Sequence, residues 1–188
     1  MNMEFNLDRT LHTGRPEDVR EPVEEACYDL LDRLGLAYDR VDHDAAFHTE
    51  TCHQVETVLG APIAKNLFLC NRQGTQHYLL LMEGDKVFKT RFLSSQLGCS
   101  RLSFAPEEDL ARLLGVRPGS ASLLGLMNDP AQKVILVIDK PLLQAEWLGL
   151  HPCRNTSTLR IKMTDALNRL IPALGHEPHY VQLPEEEA

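Results

Sequence analysis

The sequence predicts an α+β protein: a single compact domain with a mixed, curved β-sheet flanked by helices. Three observations carry this. Two near-continuous apolar runs, IAKNLFLC at 63–70 and KVILVID at 133–139, have the length and composition of buried strands. The first run is followed by a turn, NRQGT, and by HYLLLM, which together read as a hairpin. Elsewhere apolar residues recur at helical spacing, as at Val23, Cys27, Leu30, Leu31 and Leu34.

The elements follow in chain order. The first helix is expected over 17–34, with Pro16 at its first turn and Gly35 as its stop. AYDRV (37–41) reads as a short strand, and 51–59 as a helix ended by Gly60. The hairpin comes next, then a short helix near 91–97, and RLSF (101–104) as a strand. PEEDLARLLG is a helix with Pro106 at its start and acids in its first turn, which favours the dipole. KVILVID and TSTLRI are further strands, and Thr164 is expected to cap a last helix that ends at Gly175. Residues 1–15 are expected as an extension, 16–183 as the domain and 184–188 as an acidic tail.

Composition limits the function. With 27 acidic and 19 basic side chains, the formal net charge is -8. That argues against coating a DNA duplex, where affinity comes from many Lys and Arg contacts, but leaves room for a local phosphate site. No apolar run is long enough for a membrane span, and the N-terminus lacks a signal-peptide pattern, so a cytoplasmic protein is expected. The five cysteines are isolated and never form CxxC, which favours small buried hydrophobes over disulfides or zinc.

Three polar groupings interrupt the apolar pattern. Lys65 and Asn66 stand at the front of the first apolar strand. A lysine there either snorkels to solvent or points into a polar cavity, and the strand alone favours snorkelling. GVRPGSASLLG (115–125) reads as a long Gly/Pro turn or as a loop that turns backbone N–H groups toward an anion. HPCRNTST (151–158) reads as a capped turn or as a rim of hydrogen-bonding groups around a ligand. Weaker groupings are His43, His48, Cys52 and His53, whose spacing fits no zinc pattern, and the His151–Cys153 pair, which lacks a third orienting group. Lys86, Lys89 and Arg91 form the one compact basic cluster, a candidate for phosphate contacts.

Taken together, KNLFL, GVRPGSASLLGL, HPCRNTST and the late GHEP resemble the YbaK/ProX family of trans-editing aminoacyl-tRNA deacylases. They are similar in particular to the branch that clears alanine mischarged onto proline tRNA. The resemblance runs from the first helix to Tyr180. It implies a compact α/β domain around a mixed, curved sheet, ester hydrolysis in translation quality control, and no cofactor or metal. It implies the tRNA acceptor end as partner, with prolyl-tRNA synthetase a candidate second one. Lys65 corresponds to the family's catalytic lysine. Asn66, Gly119, Ser120, His151, Asn155 and Thr156 correspond to substrate-binding positions, with N–H groups near Gly119 and Ser120 as candidates to support an oxyanion. The chain departs from the family loop at Leu123, where proline is usual, and at Leu124. A non-catalytic amino-acid or tRNA-end binding module is the alternative reading. A thiol hydrolase using Cys153 or Cys52 is a third.

Overall fold

The computed structural model describes residues 4–185. Its strands form two sheets. The larger sheet has the order β5-β3-β4-β6-β9, built from β3 (Lys65–Cys70), β4 (His77–Met82), β5 (Ser103–Phe104), β6 (Val134–Asp139) and β9 (His179–Val181). It is mixed as expected: β3 pairs antiparallel with β4 and β5, while β4–β6 and β6–β9 are parallel. The smaller sheet is wholly antiparallel, in the order β1-β2-β8-β7. Its strands are β1 (His12–Thr13), β2 (Asp39–Asp42), β7 (Trp147–Leu150) and β8 (Ser157–Lys162).

The hairpin forms in the register the sequence suggests, with Lys65 opposite Met82 and Cys70 opposite His77. Side chains alternate across the larger sheet, and both faces are covered. Phe68, Leu79, Leu81, Leu136 and Ile138 enter the main core beneath α1 (Pro22–Arg33) and α4 (Glu107–Leu114). Leu69, Tyr78, Leu80, Met82 and Val137 pack with Leu93 of α3 (Thr90–Leu97) in a second cluster. Burying each such side chain contributes about 1.5–3 kcal/mol, which accounts for strands that are apolar on both faces.

Several expectations need correction. Helix α1 starts at Pro22 rather than residue 17, and Pro22, not Pro16, takes the first-turn position. The last helix enters from Lys162 rather than from a Thr164 cap, and its turn Ala166–Leu170 has π geometry. Pro172 follows, cannot donate into the helix and crowds the carbonyl four residues back, which a widened turn accommodates. Leu123 and Leu124, at the end of the expected Gly/Pro loop, open a 3₁₀ turn, Leu123–Asn128. The N-terminal segment expected as an extension lies along the smaller sheet: His12 and Thr13 pair with Arg40 and Asp39, and Leu7 bridges His43. Strands β1, β7 and β9 escape the sequence because they are short, and WLGL carries a glycine.

One contact fixes the front of β3. The Ala64 N–H donates to the Gly149 carbonyl (3.0 Å), and the Gly149 N–H donates to the Pro62 carbonyl (2.9 Å). This short bridge joins the two sheets immediately before Lys65. A Cβ on Gly149 would lie 2.5 Å from the Pro62 oxygen, so only glycine permits the approach.

Candidate active site

A cavity of about 290 Å³ opens where the bridged sheets meet the glycine loop. Lys65, Asn66, Ala64, Gly119, Ala121 and His151 contribute to its wall, with Phe47, His48 and Cys52 at one side. Four of the seven expected site residues therefore converge: Lys65, Asn66, Gly119 and His151. Ser120, Asn155 and Thr156 lie outside the lining.

Lys65 donates from Nζ to the Lys86 carbonyl at 2.9 Å. Lys86 is itself anchored. Its ammonium lies 2.8 Å from Asp139 Oδ2, both side chains are buried, and Asp139 Oδ1 accepts from the Leu183 N–H. Burial works against the Lys86 charge, but the hydrogen bond and field of Asp139 outweigh it and hold its pKa above the ordinary lysine range. This corrects the expected basic cluster: Lys86 is committed to the interior, and only Lys89 and Arg91 stay on the surface.

Asn66 has a definite amide orientation. Nδ2 donates to the Ala64 carbonyl (3.0 Å), which leaves Oδ1 on the other side, buried and without a partner. Leaving a buried acceptor unmade costs about 1–3 kcal/mol. Such an atom in a cavity wall is a ready acceptor for a ligand N–H or O–H.

His151 follows β7. Its Nδ1 faces the Ser157 carbonyl at 3.0 Å, so Nδ1 carries the proton and Nε2 keeps a lone pair. Burial pulls its pKa down to about 4, with the Ser157 contact only partly opposing. The ring is therefore neutral at pH 7. A second imidazole backs it. His43 Nδ1 donates to the Asp44 carbonyl (2.7 Å), and His43 Nε2 accepts from Thr158 Oγ1 (2.8 Å), whose oxygen lies 3.4 Å from His151 Nδ1. Burial lowers the His43 pKa as well.

The glycine loop owes its path to Gly119, with φ +80°. A Cβ there would meet Phe47 Cε1 at 2.5 Å, so the aromatic ring sits directly on the glycine. The Ser120 N–H closes a turn on the Arg117 carbonyl (3.0 Å) and is not available for an oxyanion. Ser122 Oγ donates to the His151 carbonyl (2.5 Å) and accepts from the Leu124 N–H (3.2 Å), tying the loop to His151. Leu123 and Leu124 are buried in the main core rather than in the cavity wall, so their departure from the family loop bears on packing.

Asn155 clamps the opposite segment: Nδ2 donates to the Ala46 carbonyl (2.9 Å) and Oδ1 accepts from the Ala46 N–H (3.3 Å). It positions Phe47 from behind. Thr156 is exposed, and its carbonyl accepts from the His43 N–H. The thiol reading loses support. Cys153 is buried outside the cavity, and burial raises the pKa of Cys52 at the rim, which keeps it a thiol. Of the weak grouping whose spacing fits no zinc pattern, His48, Cys52 and His53 line the cavity, while His43 is bonded to Thr158 and His53 is paired with Asp85. Sequence reasoning missed Phe47, Ser122, Thr158 and Asp139. Ser122 and Thr158 lie within the two polar segments singled out and Asp139 is an acid ending an apolar strand, whereas Phe47 carried no signal.

Residues 43–168 match the family model of the aminoacyl-tRNA editing domain. The chain is 30% identical to the prolyl-tRNA editing protein ProX of Acetoanaerobium sticklandii, over 86% of this chain and 98% of that protein. It is 29% identical to prolyl-tRNA synthetase associated domain-containing protein 1 of Danio rerio, over 87% of this chain and 86% of that one. A solved structure presented as a candidate trans-editing enzyme for prolyl tRNA synthetase superposes with a TM-score of 0.64 at 17% identity. It covers 88% of this chain and all of its own, a likeness of fold.

Proposed function

The chain belongs to the aminoacyl-tRNA editing domain family, and on that premise we propose that it hydrolyses the aminoacyl ester of mischarged proline tRNA in trans, alanine being the acyl group it removes. The observation that carries this is the cavity of about 290 Å³ whose wall is shared by Lys65, by Asn66 with its unpartnered Oδ1, and by a neutral His151.

Each group has a task in ester hydrolysis. Asn66 Oδ1 accepts from the substrate α-ammonium and so gains the partner it lacks. The Lys65 ammonium has three N–H bonds and spends one on Lys86, leaving others for the ester oxygen as negative charge develops. A base of pKa about 4 holds a proton poorly at pH 7, so His151 Nε2 orients the attacking water or a ribose hydroxyl instead of deprotonating it. The water oxygen bonds to the carbonyl carbon, the bond to the ribose oxygen breaks, and the water proton reaches that oxygen through the neighbouring ribose hydroxyl. Selection is by size: the Phe47–Gly119 contact narrows the cavity, which admits the alanine methyl and excludes the proline ring. No helix among the described residues is long and apolar enough to cross a membrane. A cytoplasmic enzyme acting on the tRNA acceptor end, alone or beside prolyl-tRNA synthetase, fits this reading.

The test is deacylation of proline tRNA charged with alanine, serine, cysteine or proline. Alanine is expected to be lost and proline retained, with Lys65→Ala slowing turnover about 10²–10³-fold. Loss of no charged species above the spontaneous rate would end the enzyme reading. Loss of proline as fast as alanine would end the size selection.

A further inference from the structure

Lys65 belongs to two hollows at once. On one side is the cavity above. On the other is an open groove of about 1140 Å³, whose wall includes Lys65, Phe88, Lys89, Arg91, Arg101 and Phe104. We propose that this groove is the track for the single-stranded 3′ end of the RNA, with the nucleotides before the aminoacylated one lying along it. The proposal rests on the deacylase reading for the identity of the RNA, and on the groove itself for the binding.

The first argument is charge. Among the described residues the groove wall carries the cations Lys65, Lys89, Arg91 and Arg101 and no carboxylate. That is unexpected in a chain with a formal net charge of -8. Lys89 and Arg91 have partners of their own, so Lys65 and Arg101 carry the charge argument. The neighbouring hollow, beside Pro62 and Ile63 just before the strand, is the reverse: among the described residues Glu56, Glu83, Asp85 and Glu185 line it with a single cation, Lys86, already paired to Asp139. A phosphate strand leaving Lys65 is therefore attracted along one side and repelled along the other.

The second argument is an aromatic platform. Phe104 is 64% exposed, and its ring is held edge-on against Phe88, with centroids 6.5 Å apart at 73°. An exposed phenylalanine braced in this way, with Val87 beside it, offers a face on which a base can stack. Stacking needs unpaired bases, which the 3′ end of an aminoacylated RNA supplies and a duplex does not.

The third argument is the sheet edge. β5 pairs with β3 only at Leu69 and Cys70, so β3 runs on past its neighbour toward Lys65. The groove occupies the place where a longer β5 would lie, and it leads to the cavity by way of Lys65.

The test is fluorescence anisotropy with a short labelled single-stranded oligoribonucleotide ending in CCA, across a salt series. Arg101→Gln should lower the slope of log Kd against log salt by about 0.7, the share of one phosphate contact on a single strand. Phe104→Ala should weaken binding about tenfold with little change in that slope. Both residues are exposed, so folding is undisturbed, and Glu83→Gln on the acidic side should not weaken binding. Wild-type Kd and slope in both groove variants would overturn the proposal. So would an acidic peptide of equal charge binding as tightly as the RNA. A parallel assay separates the two readings: both variants should slow hydrolysis of alanyl-tRNA yet leave the alanyl ester of adenosine at the wild-type rate. If the wild type hydrolyses neither substrate, the deacylase reading fails, and the anisotropy result alone decides the groove.

Discussion

Replacing Lys86 by methionine tests how the site lysine is held. Asp139 is fully buried (0% exposed), and Lys86 Nζ at 2.8 Å is its cationic partner. Lys86→Met keeps much of the side-chain volume but strands that carboxylate, whose remaining hydrogen bond comes from the Leu183 N–H. Removing one partner of a buried pair costs about 3–5 kcal/mol, because the other charge stays desolvated. The exposed Glu185, also near Lys86, adds little to this. For a chain of this length each kcal/mol moves Tm by about 2–4 °C, so Tm should fall by roughly 6–20 °C. Urea unfolding should show a lower midpoint with an unchanged slope. The double variant Lys86→Met/Asp139→Leu should recover most of the loss, since replacing a whole buried pair by apolar groups is often neutral. A single variant that loses less than about 1 kcal/mol, or a double variant no more stable than the single one, would refute the reasoning. The pair would then not anchor the segment whose carbonyl receives Lys65.

Two further outcomes follow from the site. Gly119→Ala places an L-residue at φ +80°, which costs about 1–2 kcal/mol and should lower Tm by about 2–8 °C. The cost lies in the backbone and not in the Phe47 ring, so adding Phe47→Ala should relieve the contact without restoring Tm; an unchanged Tm in Gly119→Ala would contradict this. The His151 pKa of about 4 sets a pH dependence. Between the unfolded value of 6.5 and the folded value, the unfolded chain binds more protons, so stability falls as pH falls through that window and levels off below it. The ceiling is about 3 kcal/mol, at 1.36 kcal/mol per unit. Urea midpoints at pH 7, 5.5 and 4 should fall more steeply in the wild type than in His151→Gln, and parallel curves would refute it.

What could be read in the sequence follows from how local its cause is. The hairpin was legible because alternation and turn chemistry lie within about 20 residues, and both faces of β3 advertise their burial. The four-stranded sheet was legible only in part: AYDRV and TSTLRI read as strands, but β1 is two residues long and β7, although it pairs locally with β8, is four residues long and interrupted by Gly149. The same split runs through the site. Lys65, Asn66, Gly119 and His151 could be singled out because each breaks the apolar or helical pattern around it. Asn155 broke a pattern too, but its contacts are with the Ala46 backbone, 109 residues away, and nothing in HPCRNTST discloses that. Phe47 gave no signal, since an exposed phenylalanine in a polar stretch reads as surface until the backbone of Gly119 is placed beneath it.

Several local irregularities of this fold gather around one place, although the left-handed Gln132 and the π turn Ala166–Leu170 lie elsewhere. Asn66 leaves a buried acceptor unpaired, Gly119 adopts a conformation few residues tolerate, and Cys153, two residues beyond His151, holds φ +60° without being glycine. His151 keeps an imidazole neutral by burial, and Lys65 breaks an apolar strand at its front. The unpaired Asn66 acceptor and the left-handed Cys153 are each unfavourable by about 1–3 kcal/mol, against a total stability of about 5–15 kcal/mol. Were they scattered, each would be an ordinary imperfection. Their concentration on two loops and one strand end means that the sheets, which obey every pattern rule, offset the cost of a site that breaks them. A ligand that fills the Asn66 acceptor and meets the Lys65 ammonium recovers part of that cost on binding. On the groove proposal, the cations beside Lys65 and the carboxylates of the hollow next to Pro62 and Ile63 would then set the side from which an anionic ligand arrives.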